Sequence, residues 1–144
     1  MSAKPRRPDL AAMLAPLIRG LIAAERPVLD RHGVSMWGYS VLCALDEAPV
    51  RTQAALAEAI GADKTRIIAT LDELQDQGYI ERRPDPADRR VRLLAITESG
   101  RTLKDTVQAE IQRGEERWLS VLSADERRMF LRALHEMTRL DTNP

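Results

Sequence analysis

Apolar residues recur at intervals of three and four along most of this chain, and that rhythm breaks once. Leu10, Leu14, Leu17, Ile18, Leu21 and Ile22, widened by Met13, form one stripe. They predict a helix that Asp9 caps just after Pro8. Pro27 has no N–H to give and crowds the preceding turn, so it is expected to kink or end this helix, with Arg31-His32-Gly33 as its exit. Ser35 suits the N-cap of a second helix, Met36 to about Asp46, with Trp37, Val41, Leu42, Ala44 and Leu45 turned inward and Glu47-Ala48-Pro49 as its stop. Thr52 caps a third, Gln53 to Ile60, closed by Gly61. Asp63 caps a fourth, Lys64 to Gln77, closed by Gly78. The short Gly61-Ala62-Asp63 connection gives the third and fourth helices helix-turn-helix spacing.

After Gly78 the pattern turns to strands. Tyr79 to Arg83 and Arg90 to Ile96 predict a hairpin, with Pro84-Asp85-Pro86-Ala87-Asp88 as a turn whose prolines exclude a strand. Thr97 then caps a long helix to about Leu122, and Ser123-Ala124-Asp125-Glu126 fits a capping box that starts a last helix. That helix presents Met129, Phe130, Ala133, Leu134 and Met137. The fold class is mainly α with a small β-hairpin wing, a winged helix-turn-helix flanked by outer helices. The expected organisation is an N-terminal dimerisation helix over 1–34, a DNA-binding winged helix over 35–97 and C-terminal dimerisation helices over 98–144. The dimer follows from area. The outer stripes need covering, a small winged helix lacks the surface, and a second copy supplies it. An intramolecular helical cap is the alternative.

Length and composition narrow the class. A chain of 144 residues with 44% apolar content is one domain with extensions, long enough for a core. No apolar run is long enough to span a membrane, the basic N-terminus lacks the apolar core of a secretory signal, and the single Cys43 has no internal disulfide partner. A cytoplasmic protein is expected. The 22 basic and 22 acidic residues cancel, so distribution carries the information. Arg82, Arg83, Arg89, Arg90 and Arg92 crowd the hairpin, whereas acid gathers toward the C-terminus at Asp105, Glu110, Glu115, Glu116, Asp125 and Glu126. Two distant histidines, one cysteine and no glycine-rich phosphate loop argue against an enzyme, a metal site or a cofactor. Asp85 and Asp88 are an acidic pair that the arginines around them already explain.

The fourth helix has the polarity of a groove reader. At about 100° per residue, Ile67, Leu71 and Leu74 face the core with Ile68 beside them. Lys64, Thr65, Arg66 and Ala69 lie outside that stripe near the N-terminal end, and Asp72, Glu73 and Asp76 make the far end acidic. Recognition helices present the N-terminal end to bases, and the helix dipole favours phosphate there. Arg66 has the fork to grip a guanine, Thr65 a hydroxyl for a base edge or phosphate, Ala69 a methyl for thymine, and Lys64 a charge for phosphate. Thr52 and Gln53, at the start of the preceding helix, are candidates for backbone contacts that set register. Capping is the competing role for Thr52, and for Asp63 it is the stronger one.

The run Asp88-Arg89-Arg90-Val91-Arg92-Leu93-Leu94-Ala95-Ile96-Thr97 resembles the D-x-R-x-x-x-[LI]-x-[LI]-T wing signature of the MarR family of transcriptional regulators. L-A-x-x-I-G at Leu56–Gly61 and L-x-x-x-G-Y-I-x-R at Leu74–Arg82 are similar to its helix-turn-helix, and the element order matches over nearly the whole chain. The resemblance implies a homodimeric regulator of double-stranded DNA, often a repressor of a nearby operon that a small aromatic ligand releases. It implies that Arg90 enters the minor groove and that Asp88 orients it or the hairpin, and the wing itself offers Arg89 beside it. The chain departs from the family at Ile68 and Ala69, where many relatives carry Thr and Arg. A winged helix used only for protein–protein contact, without an operator of its own, is the alternative.

The family's ligand position, between the dimerisation region and the winged helix, falls here on Met13, Leu17, His32, Trp37 and Tyr39. Those residues would make an amphipathic pocket. The competing arrangement, Trp37 in the core and His32 at an exposed helix end, has the edge, because aromatics in so short a domain are usually core. Cys43 lies on or near the apolar side of the second helix, away from the first-helix position of thiol-sensing relatives, and is expected to be inert.

Overall fold

The computed structural model describes residues 3, 4 and 6–140. Its elements in chain order are α1 (Leu10–Arg31), α2 (Met36–Glu47), α3 (Gln53–Ile60), α4 (Lys64–Asp76), β1 (Ile80–Pro84), β2 (Arg92–Ile96), α5 (Glu98–Leu119) and α6 (Ala124–Thr138). Side chains start the helices as their residue types suggest. Asp9, Ser35, Thr52 and Asp63 each accept a backbone N–H three residues on. Ser123 and Glu126 complete a reciprocal capping box. Gly61 closes α3 in the left-handed region at φ 70°, with the Ala62 N–H returning to the Ala57 carbonyl at 2.9 Å.

Pro27 does not end the first helix, and two expectations about the hairpin are corrected. Helix α1 runs through Pro27 to Arg31 and also contains Pro16. The carbonyl that Pro27 leaves without a partner belongs to the exposed Ala23, which water can satisfy. Val28 and Leu29 just beyond are buried with Val34, Val107 and Ile111, and that burial offsets the lost bond. Pro84 belongs to β1, at the terminal pair with Arg92, where a missing N–H costs little. Arg90 and Val91 leave the predicted second strand because residues 85–91 close on themselves. The Asp85 N–H donates to the Val91 carbonyl at 2.9 Å and the Val91 N–H to the Asp88 carbonyl at 2.9 Å.

The chain divides into two compact units, one up to Ile111 and one from Gln112 onward. In the first, Val41, Leu42, Leu45, Leu56, Ile67, Leu71, Leu74, Ile80, Leu94 and Ile96 make one continuous core. The hairpin is antiparallel with Ile80 opposite Ile96, and Val50 adds an isolated bridge to Leu94 through bonds of 2.8 and 3.0 Å. That bridge puts a third backbone segment beside β2, so Leu94, Ala95 and Ile96 are buried in succession. Gly100 lets α5 pass close to the hairpin's entry: a Cβ there would lie 2.1 Å from the Tyr79 carbonyl oxygen. Thr97 accepts the Gly100 N–H at 3.1 Å and donates to the Gly78 carbonyl at 2.7 Å. Between α2 and α5, Asp46 accepts Arg101 at 2.7 Å and pairs with Lys104 at 2.5 Å. These cations hold the Asp46 carboxyl below its ordinary range, Lys104 first.

In the second unit Arg127 grips the Glu116 carboxylate through two bonds of 2.6 and 2.8 Å. No residue of α6 is buried. Met129 is 70% exposed and Val121 81%. No helix among the described residues is long and apolar enough to cross a membrane.

Candidate nucleic-acid interface

Helix α4 is fixed from behind. Ile67, Leu71 and Leu74 are almost fully buried, and Thr70 joins them with its hydroxyl donating to the Arg66 carbonyl at 3.1 Å. The other side is open: Lys64, Thr65, Arg66 and Ala69 are all exposed. Asp63 is spent on capping, its carboxylate accepting the Arg66 backbone N–H at 2.8 Å. Ile68, expected beside the core, is 48% exposed. It lies about 100° round from Ile67, and Thr70 fills the core edge instead. An aliphatic side chain therefore joins the polar ones on the open face. The wheel held that signal, but hydrophobicity alone drew Ile68 inward.

Thr52 caps α3 and accepts the Ala55 N–H at 3.0 Å while remaining exposed, and Gln53 beside it is half-buried. The Arg66 guanidinium carbon lies 5.9 Å from the centre of the Trp37 ring.

The wing is built by two aspartates with different duties. Asp85 is 6% exposed. One of its carboxylate oxygens accepts the Ala87 N–H at 2.9 Å and the other pairs with Arg51 at 2.8 Å. It thus ties the root of the loop to the segment before α3. Asp88 works at the tip, accepting the Arg90 backbone N–H at 3.1 Å and its Nε at 3.2 Å. The Arg90 side chain bonded there holds the Asp88 carboxyl below its ordinary value, and the backbone bond adds to the effect. The Arg90 side chain is itself 91% exposed, and Arg89, Arg82, Arg83 and Arg92 are exposed as well. The Arg51–Asp85 tie was missed in the sequence, since one arginine among many beside a capping threonine carries no signal.

The five expected pocket residues do not converge. His32 and Tyr39 have separate partners: His32 Nε2 lies 2.8 Å from Glu110, and Tyr39 packs on the Val28–Ile111 cluster. Trp37, two positions and about 200° round α2 from Tyr39, faces Arg66 on α4. Met13 is exposed on α1 and Leu17 half-buried. Cys43 is half-buried, and desolvation pushes its thiol up from the ordinary value against a hydrogen bond with Tyr39 that lowers it. That disfavours the reactive thiolate.

A helix-turn-helix with an open basic helix start and an arginine-tipped wing has the form of a DNA-binding module. The MarR family profile matches residues 32–91, from the exit of α1 through the wing. Over those residues the chain is similar to the MarR family of transcriptional regulators. A protein of Thauera aromatica named as a candidate transcriptional regulatory protein for the hcr operon is 29% identical over 130 residues, which is 88% of this chain and 78% of that protein. The crystal structure of CouR from Rhodococcus jostii RHA1 bound to p-coumaroyl-CoA superposes with a TM-score of 0.77 at 26% identity, over 99% of each chain. A crystal structure of MarR itself gives a TM-score of 0.78 at 25% identity, over 96% of this chain and 94% of that one. The mainly α winged-helix class follows for this chain.

Proposed function

We propose that this regulator is a homodimeric repressor of a pseudo-palindromic operator, relieved by a small aromatic ligand. The observation that carries the DNA part is the pairing of two ordered surfaces: the open Lys64–Ala69 start of α4 and the Arg90 tip that Asp88 holds. Lys64 takes a phosphate, Arg66 a guanine edge, Thr65 a base edge or phosphate, and Ile68 and Ala69 thymine methyls. Thr52 and Gln53 set register against the backbone. Arg90, with Arg89 beside it, enters the minor groove, where Asp88 keeps its side chain aimed.

The dimer is supported by Leu10, Met13, Leu14 and Ile18 on α1 and by Val121, Met129, Leu131 and Met137 in the second unit, all exposed. A second copy is their natural cover, with 1–34 and 98–144 as the dimerisation helices around a DNA-binding 35–97. Two copies would place their α4 helices in major grooves about 34 Å apart, one turn of duplex. The ligand is supported by CouR, of similar fold, whose crystal structure holds p-coumaroyl-CoA with its aromatic acyl group. On this chain the half-buried His32 and Tyr39 would receive such a ring, and Met13 and Leu17 lie more than about 20 Å away along α1. A ligand acts only through unequal affinity for the DNA-competent and incompetent states.

The test is a mobility shift with duplex from the protein's own upstream region, titrated with salt and repeated with phenolic acids and their thioesters. A salt-dependent shift that one of these compounds abolishes is expected. No shift even at low salt would leave the protein–protein module as the better account.

A further inference from the structure

Arg66 and Trp37 come from different helices, and their meeting was invisible in the sequence. Trp37 is the second residue of α2, whose first turn Ser35 caps through the Gly38 N–H at 3.0 Å. That turn packs on α4, since a Cβ on Gly38 would stand 3.6 Å from Leu74 Cδ2. The half-buried indole therefore stands on a turn whose backbone lies against α4. Arg66 by contrast is exposed, and the nearby Asp63 carboxylate is occupied with its backbone N–H rather than its guanidinium. What meets the guanidinium is the ring, 5.9 Å from centroid to Cζ.

We propose that Trp37 is a positioning residue for base readout, holding the Arg66 guanidinium extended before DNA arrives. This rests on the assignment of the α4 start as the reading surface. An arginine has several rotatable bonds to freeze, and freezing them in the free protein removes that cost from binding. An aromatic ring suits the task better than a carboxylate. It engages the guanidinium through its π face and leaves the N–H fork free for a guanine edge, whereas a carboxylate would occupy the same donors. Trp37 thereby sharpens discrimination at one base of each half-site without touching DNA.

The experiment has two arms. In the free protein carrying Trp118→Phe, so that Trp37 is the sole indole, Arg66→Leu is expected to change the Trp37 emission. Unchanged intensity and wavelength would overturn the stacking. In the second arm the unsubstituted chain, Trp37→Leu, Trp37→Phe, Arg66→Leu and the Trp37→Leu/Arg66→Leu double variant each select from a duplex pool with a random core. Trp37→Leu is expected to reduce the preference at one guanine per half-site by about two- to fivefold, Trp37→Phe by less, and the double variant no further than Arg66→Leu alone. An equal loss in both Arg66 backgrounds, or no loss, overturns the positioning role while leaving DNA recognition intact. If the unsubstituted chain enriches no motif, DNA reading falls and this role with it. Trp37→Phe retains an aromatic ring, so the test survives if Trp37→Leu fails to fold.

Discussion

The winged helix and the second unit solve opposite problems. Around Leu42, Leu56, Ile67, Leu71 and Leu94 the first unit closes a core that almost no solvent reaches, and every element from α2 to β2 contributes. In the second unit α6 has a correct capping box and a clear apolar face, yet buries nothing. Good local signals thus form a helix in both places, but only one has enough chain around it to cover what the helix exposes. α1 shows both outcomes in a single helix, and α5 helps to cover its far end. Val28, Leu29, Val107 and Ile111 are covered, whereas Leu10, Met13 and Ile18 are not.

The comparison breaks first where it is strongest. Leu71→Ala should cost about 2–5 kcal/mol in urea unfolding, because the cavity opens in a core with no slack. Met129→Ala in the same assay on dilute monomer should stay within about 0.5 kcal/mol. Equal costs would mean the second unit is covered after all. Met129→Lys with Met137→Lys should next turn the proposed dimer into a folded monomer in sedimentation, with operator affinity falling about a hundredfold as the linked second site is lost. A dimer that survives would move the interface elsewhere. Arg90→Ala should weaken binding to every duplex and lower the salt slope by about one unit per chain, since the lost contact is to the backbone field and not to a base. An unchanged slope removes the wing from binding.

The smallest effect sharpens the account of how the first unit holds α5. Asp46 has its carboxyl lowered by Lys104 and Arg101, so its contribution is fully present above the unfolded value near pH 4 and is lost as pH falls through the lower folded value. Lys104 is raised by Asp105 first and Asp46 second, so its share persists below its unfolded value and disappears only as strongly alkaline pH passes the folded one. Asp46→Asn should flatten the acid limb of thermal stability and cost about 1 kcal/mol or less at neutral pH. An acid limb of unchanged steepness would assign it to other carboxylates.

Local chemistry made much of this legible. Ser35, Thr52, Asp63 and Ser123 set helix starts, because a cap is a contact between residues three apart and needs no tertiary partner. Gly61 fixed the turn, since few other residues tolerate its backbone angles. The Asp88–Arg90 pair is equally local, which is why the wing's sequence already pointed to a family. Misjudged positions depended on what stands opposite. Ile68 is apolar but faces outward because Thr70 takes the core edge, and Pro27 stays helical because Val28 and Leu29 find cover beyond it.

What the sequence determined by itself is therefore the order of elements, their caps, the helix-turn-helix spacing and the arginine-tipped hairpin. All of these arise from contacts a few residues long. Only the tertiary structure decided that Val50 would flank β2, that Arg51 would anchor Asp85, and that Trp37 would stand over Arg66 and away from Tyr39. Each of those joins segments whose meeting depends on how the helices pack, and nothing in either segment alone encodes the distance between them.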